Sequence, residues 1–218
     1  MAHSEDIRDG IVDTAIALAE RRSSWEAVRL HDVAAELGIT LDDVRRHFRE
    51  KEEVVEAWFD RADGAMLARA QAPGFAALAP RERIRALVMS WLGALAPHRK
   101  VARQMILGKL EPGHVHIQIP GLLRVSRTVQ WMREAALRDA TYLRRALEET
   151  ALTTLYLMTF FLWMGDETHA SERTRRFLER SLQAAERLDR LVYAGCARAA
   201  RRGTRLPAAG PATEEPTL

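Results

Sequence analysis

Apolar residues recur at intervals of three and four along most of the chain, which is the spacing of a single helix face. Ile7, Ile11, Ala15 and Leu18 stripe a first helix over about residues 5–21. Val33, Ala34 and Leu37 mark a shorter one, and Gly38 follows at once, where a helix ending in a left-handed residue favours glycine. Thr40 heads the next helix, with Asp43 three residues on in the capping-box place and Val44 and Phe48 turned inward. Trp25 plugs the small core between these helices. A long helix follows over 51–71, with Val54, Val55, Trp58, Phe59, Ala62, Met66 and Leu67 on a broad stripe, and Ala72-Pro73-Gly74 ends it. Further helices are predicted over 81–95, 98–110, 121–138, 142–164 and 173–198, with Glu111–Pro120 as a Pro- and Gly-containing loop. The one alternating run, residues 115–119, is too short to argue for a sheet. The expectation is an all-α fold of about nine helices. The division is residues 1–50 as a helix-turn-helix domain, 51–72 as a connecting helix, 73–200 as a second helical domain and 201–218 as a disordered tail.

Composition agrees with a soluble globular chain: 218 residues, 47% hydrophobic and 29% charged. Cys196 is the single cysteine, so no intramolecular disulfide can form and a reducing compartment is natural. The opening MAHSEDIRDG has neither the basic nor the apolar region of a signal peptide, and a cytoplasmic location is expected. Sixteen uncharged residues, TALTTLYLMTFFLWMG, lie between Glu149 and Asp166. That run falls short of the roughly 20 residues a membrane span needs. It predicts a buried helix and no membrane span.

Charge is what complicates the picture. Residues 1–60 carry 8 Lys and Arg against 15 Asp and Glu, a balance of −7, whereas residues 61–218 carry 25 against 15, a balance of +10. A nucleic-acid-binding domain is normally the basic half, because phosphate contacts supply much of the affinity. Within the second short helix the balance is more favourable. Arg45, Arg46, His47 and Lys51 are candidates for phosphates or base edges, Thr40 for a phosphate at the helix N-terminus, and Arg29, Leu41 and Asp42 complete the candidate DNA-facing set. Asp42 and Asp43 stabilise the helix N-terminus but repel phosphate, although an aspartate can also accept from cytosine.

Residues from Ile7 to about Arg61 resemble the TetR family of bacterial regulators. The likeness is carried by the apolar first helix, Asp32-Val33-Ala34, Leu37-Gly38-Ile39-Thr40, His47-Phe48 and Lys51-Glu52-Glu53. It implies an all-helical homodimer with an N-terminal domain on double-stranded operator DNA and a larger domain for ligand binding and dimerisation. The helix over 51–71 would then transmit ligand occupancy, and helices 142–164 and 173–198 would form the dimer seam. Small or hydroxyl residues are usual in that family where Asp42 and Asp43 stand here. A second resemblance links residues 119–186 to the ubiquinone-biosynthesis accessory proteins, which share the TetR fold, bind lipids or isoprenoid quinone precursors and do not act on DNA. It rests on Ile119-Pro120, the Trp131 region, Tyr142-x-Arg144-Arg145-Ala146, Thr153-Thr154 and Phe177-Leu178-Glu179.

Two function classes are therefore expected. One is a ligand-responsive transcriptional regulator that binds palindromic DNA as a dimer. The other is a lipid-binding accessory protein with a non-functional DNA-binding domain. Both call for an apolar small molecule or lipid between helices, and the candidate lining residues are Trp91, Met105, Trp131, Met132, Tyr142, Thr154, Met158 and Phe161. His114 and His116, without a third ligand nearby, do not argue for a metal. There is no nucleophile motif or phosphate-binding glycine loop, so neither an enzyme nor a cofactor is expected.

Overall fold

Gly38 makes the sharp turn between the two short helices of the N-terminal region. It sits at φ 65°, ψ 28° in the left-handed region, where glycine carries no Cβ penalty. The computed structural model describes residues 2–109, 115–138 and 142–203. In order they form α1 (Ala2–Arg22), α2 (Leu30–Leu37), α3 (Leu41–His47), α4 (Lys51–Ala70), α5 (Pro80–Leu95), α6 (Arg99–Lys109), α7 (Val115–Ala135), α8 (Tyr142–Met164) and α9 (Glu172–Gly203). Single 3-10 turns lie at Phe75–Ala77, Ala96–His98 and His169–Ser171. No strand occurs among the described residues, and none of their helices is long and apolar enough to cross a membrane.

α1, α2 and α3 enclose a small core of Ile11, Ala15, Val33, Val44 and Phe48, closed by Trp25, all buried. α4 is shared property. It packs on α1 as well as along α5 and α7. The chain breaks after α4 at Gly74 (φ 77°), and Pro80 then starts α5, where its missing N–H costs nothing. α7, α8 and α9 complete the bundle, with Trp91, Met132, Trp163 and Leu178 fully buried among the helices.

Two boundaries differ from the sequence expectation. Residues 115–120 belong to α7 and not to a loop, so Pro120 lies inside a helix and withholds one N–H from the carbonyl of His116. One lost ladder bond does not stop a helix of 21 residues. α9 also continues to Gly203, past the start expected for the tail. Residues 111–114 of the expected loop, and 204–218 of the tail, lie outside the described residues.

Candidate functional site

Thr40 and Asp43 lock the start of α3. Thr40 stands in the extended N-cap conformation and its hydroxyl accepts from the Asp43 amide at 3.1 Å, while the Asp43 carboxylate accepts from the Thr40 amide at 2.9 Å. This is the reciprocal capping box the spacing predicts. At the other end the Phe48 amide donates to the Val44 carbonyl at 2.9 Å. α3 buries Val44 and presents Leu41, Asp42, Arg45 and Arg46 to solvent, with Leu41 53% exposed. A seven-residue helix has little stability of its own, so caps and the buried Val44–Phe48 pair are what make it a rigid platform.

The arginines do not stand free. Asp42 accepts from Arg45 Nε and Nη2 at 3.0 and 2.7 Å and from Arg46 Nη2 at 2.8 Å, and Arg46 Nη1 reaches Asp43 at 2.9 Å. Hydrogen bonds from Arg45 hold the Asp42 carboxyl below its usual range. Both guanidinium groups are nevertheless well exposed, so water competes for these pairs and a phosphate can take over either arginine. Behind α3 lies a shallow cleft of about 430 Å3 lined by Arg8, Arg45, Arg46, His47, Phe48, Arg49, Glu53 and Glu56. Arg8, 5.2 Å from the centre of the Phe48 ring, comes from α1 and gives no local signal in the sequence. Arg29, at the N-cap of α2, is exposed. Lys51 departs from the set: its ammonium donates to the Trp25 carbonyl at 2.7 Å and lies 4.6 Å over the indole, and burial pulls its pKa down. It staples α4 to the α1–α2 turn.

Much of the surplus acid is spent on seams between helices. Arg21 pairs with Glu36 and Arg22 with Asp32, joining α1 to α2, while Arg61 on α4 bridges Asp9 and Asp13 on α1.

The junction of α4 with the rest of the bundle is polar and buried. Asp63 of α4, 7% exposed, accepts from Trp91 Nε1 at 2.8 Å, Arg124 Nη2 at 2.9 Å and Thr128 Oγ1 at 3.0 Å. Arg124 also pairs with Asp60 and donates to the Glu56 carbonyl at 3.2 Å, gripping successive turns of α4 from α7. Burial pushes the Asp63 carboxyl up, against the pull of Arg124 and the hydrogen-bond donors. The sequence reading passed over this cluster. Its signal was a single carboxylate on an otherwise apolar stripe, between Ala62 and Met66.

The eight candidate lining residues do not converge. Trp91, Met105 and Met132 are buried, but Trp131, Tyr142, Met158 and Phe161 are 51%, 92%, 53% and 47% exposed, and Thr154 is exposed too. The aromatic column inside is Phe59 stacked on Trp91, with Tyr156 and Phe160 edge-on to Trp91 and Trp163 stacked on Phe160. The expectation for α8 had the wrong face. Its uncharged run offers no polar marker of the solvent side, and Thr150, Thr154 and Thr159 turn their hydroxyls back to carbonyls four residues earlier. Trp131 instead lines an open apolar cleft of about 400 Å3 with Leu67, Ala70, Phe75 and Leu137.

No protein-family model matches the chain, and no curated protein matches it. Among solved structures, a TetR transcriptional regulator from Nitrosomonas europaea ATCC 19718 is 57% identical, with a TM-score of 0.74, over 83% of this chain and 98% of that one. The chain belongs to the TetR family of transcriptional regulators. A TetR transcriptional regulator from Rhodococcus sp. RHA1 shares the fold at 19% identity and a TM-score of 0.60, over 83% of this chain and 97% of that one. In this TetR-family chain, the capped α3 is the second helix of the helix-turn-helix.

Proposed function

We propose that this chain acts as a homodimeric, ligand-responsive regulator that reads a palindromic operator with α3 and binds an apolar small molecule among the helices after α4. The carrying observation is a rigidly capped α3 that offers Thr40, Leu41, Arg45 and Arg46 to solvent, in a chain 57% identical to a TetR transcriptional regulator. Two-fold pairing would present two such helices to successive major-groove segments.

The face of α8 supports the dimer. Leu147, Ala151, Thr154, Met158 and Phe161 follow one another at intervals of four, three, four and three, and all are exposed in the single chain. On α9, Phe177, Ser181, Ala184 and Leu188 repeat the spacing, and Leu188 is 63% exposed. Stripes of this period on two helices fit a four-helix seam between two copies. Thr154, Met158 and Phe161 are thus assigned to the seam and not to the ligand. The residue ranges 1–50, 51–72 and 73–200 serve in this reading as reader, connector and effector domain.

Fluorescence anisotropy on the DNA upstream of its own gene, over a salt series, tests the proposal. Arg45→Glu with Arg46→Glu is expected to weaken binding at least ~100-fold and to flatten the log–log salt slope by roughly 3–4, for four lost contacts per dimer. Absence of binding by the unmodified protein at low salt, with isoprenoid lipid co-purifying, would instead favour the lipid-binding accessory role. The pairing of both arginines with Asp42 and Asp43 is the observation on that side.

A further inference from the structure

Arg133 on α7 is 2% exposed, and its Nε and Nη1 are sealed from solvent with no hydrogen-bond partner. Among the described residues no carboxylate pairs with it. Arginine cannot shed its proton as a buried lysine does, so the charge stays. A buried cation without a counter-charge is strongly unfavourable, and native proteins meet it with an anion. Arg124, on the same helix, differs in charge balance: its Nε is likewise unpartnered, but its charge is matched by the acids of α4.

Nine residues separate the two arginines, which is half a turn around the helix, so Arg133 leaves α7 on the side away from α4. Besides α4, the helices packed on α7 are α5, α6 and α8. The helical neighbours of Arg133, Val129 and Ala136, are fully buried and apolar, as is Met132 beside it.

We infer that Arg133 is the charge anchor of the effector site, and that the effector is an apolar molecule with a single carboxylate. The inference rests on the effector-binding reading above and names the ligand class. A guanidinium presents two parallel N–H groups that match a carboxylate, and one positive charge balances one negative. A phosphate dianion would bring a second, unmatched charge into an apolar surround. A neutral lipid or quinone would leave the cation as it is.

The full-length protein is titrated by calorimetry with benzoate, octanoate and dodecanoate, with benzyl alcohol, octan-1-ol and dodecan-1-ol as neutral counterparts, and with dodecyl phosphate. At least one acid is expected to bind about tenfold or more tightly than its alcohol, to raise Tm, and, for the twelve-carbon body, to bind more tightly than the phosphate. Arg133→Met should raise the ligand-free Tm by about 2–4 °C, since an apolar side chain replaces an unpaired charge. It should also abolish the preference for acid over alcohol. Arg133→Lys, which keeps the charge but not the fork, should weaken acid binding and retain the preference. The assignment is overturned if no acid binds, if acids and alcohols bind alike, if the phosphate binds more tightly, or if Arg133→Met keeps the acid preference. The wild-type comparison of acid with alcohol decides even if a variant does not fold. If the alcohols bind and release DNA as well as the acids do, the carboxylate assignment falls and ligand-responsive regulation stands. If acids bind through Arg133 but leave operator affinity unchanged, the anchor stands and the regulatory coupling falls.

Discussion

Arg124→Met lowers the stability of the folded chain by about 3–5 kcal/mol at pH 8, the range for removing one partner of a buried ion pair. Arg124 is 7% exposed and so is Asp63, and the substitution leaves Asp63 buried with only neutral donors, Trp91 and Thr128. Burial already pushes this carboxyl above its ordinary value, and removing the cation pushes it further. A carboxyl whose pKa is raised by folding binds its proton more tightly in the folded state. The stability of the variant is therefore greatest at acidic pH and declines as the pH rises through the folded-state pKa. Urea midpoints at pH 5 and pH 8 measure it: the deficit of Arg124→Met relative to the unmodified chain should be clearly smaller at pH 5. Asp63→Asn in the Arg124→Met background should remove that pH dependence. An equal deficit at both pH values would mean that Asp63 is not the charge left behind. Because the same cluster ties α4 to α7, the variant also loosens the junction of α4 with the rest of the bundle.

Asp166→Ala costs about 2–4 kcal/mol by releasing the turn between α8 and α9. Asp166 is 1% exposed and accepts from four donors: the Thr168 amide at 3.0 Å and hydroxyl at 2.6 Å, and the Thr174 amide at 2.8 Å and hydroxyl at 2.6 Å. Thr174 is itself fully buried, so deleting the carboxylate leaves its amide and hydroxyl unmet, at about 1–3 kcal/mol for each buried orphan. The turn holds Ala170 and Ser171 at φ 51° and 54°, a left-handed pair that these bonds keep in place. Arg99 adds a bond to Ser171 Oγ at 2.6 Å and lies 4.6 Å over the Trp163 ring. Burial works against ionising Asp166, but the threonine hydrogen bonds outweigh it and hold the carboxyl well below the usual range. Its contribution is then complete above the unfolded-state pKa of about 3.9 and fades as the pH falls through the lower folded value. Denaturation at pH 7 should show the full loss, and the gap to the unmodified chain should begin to narrow below about pH 4 and shrink steadily as the pH falls further. A gap that persists unchanged in acid would count against the ionised carboxylate as its source. Since α9 carries half of the proposed seam, the variant should also dissociate at higher protein concentration in sedimentation velocity.

The relation between sequence and structure is uneven along the chain, and the reason is the density of polar markers. Around α3 nearly every local feature was legible. Gly38 demanded a left-handed turn, Thr40 and Asp43 closed a capping box, and Val44 and Phe48 turned inward as their spacing required. Such features depend on residues within five positions of one another, and their geometry is set by backbone sterics and short hydrogen bonds. Lys51 shows where that reach ends. Its place next to the basic helix suggested DNA, but Trp25, 26 residues earlier, offers it both a carbonyl and a ring.

By itself the sequence determined the helical class and the helix-turn-helix with its capped α3, because periodicity, caps and turns are local properties, and its motifs carried the resemblance to the TetR family that the 57% identical relative bears out. Tertiary structure alone decided which face of α8 is core, since an uncharged run has no polar side to point at water. It also decided that Asp63, Arg124 and Trp91 share one buried site, and that Arg133 has no carboxylate partner among the described residues. Those facts depend on which groups remain to solvate a charge once helices far apart in sequence have excluded water from it.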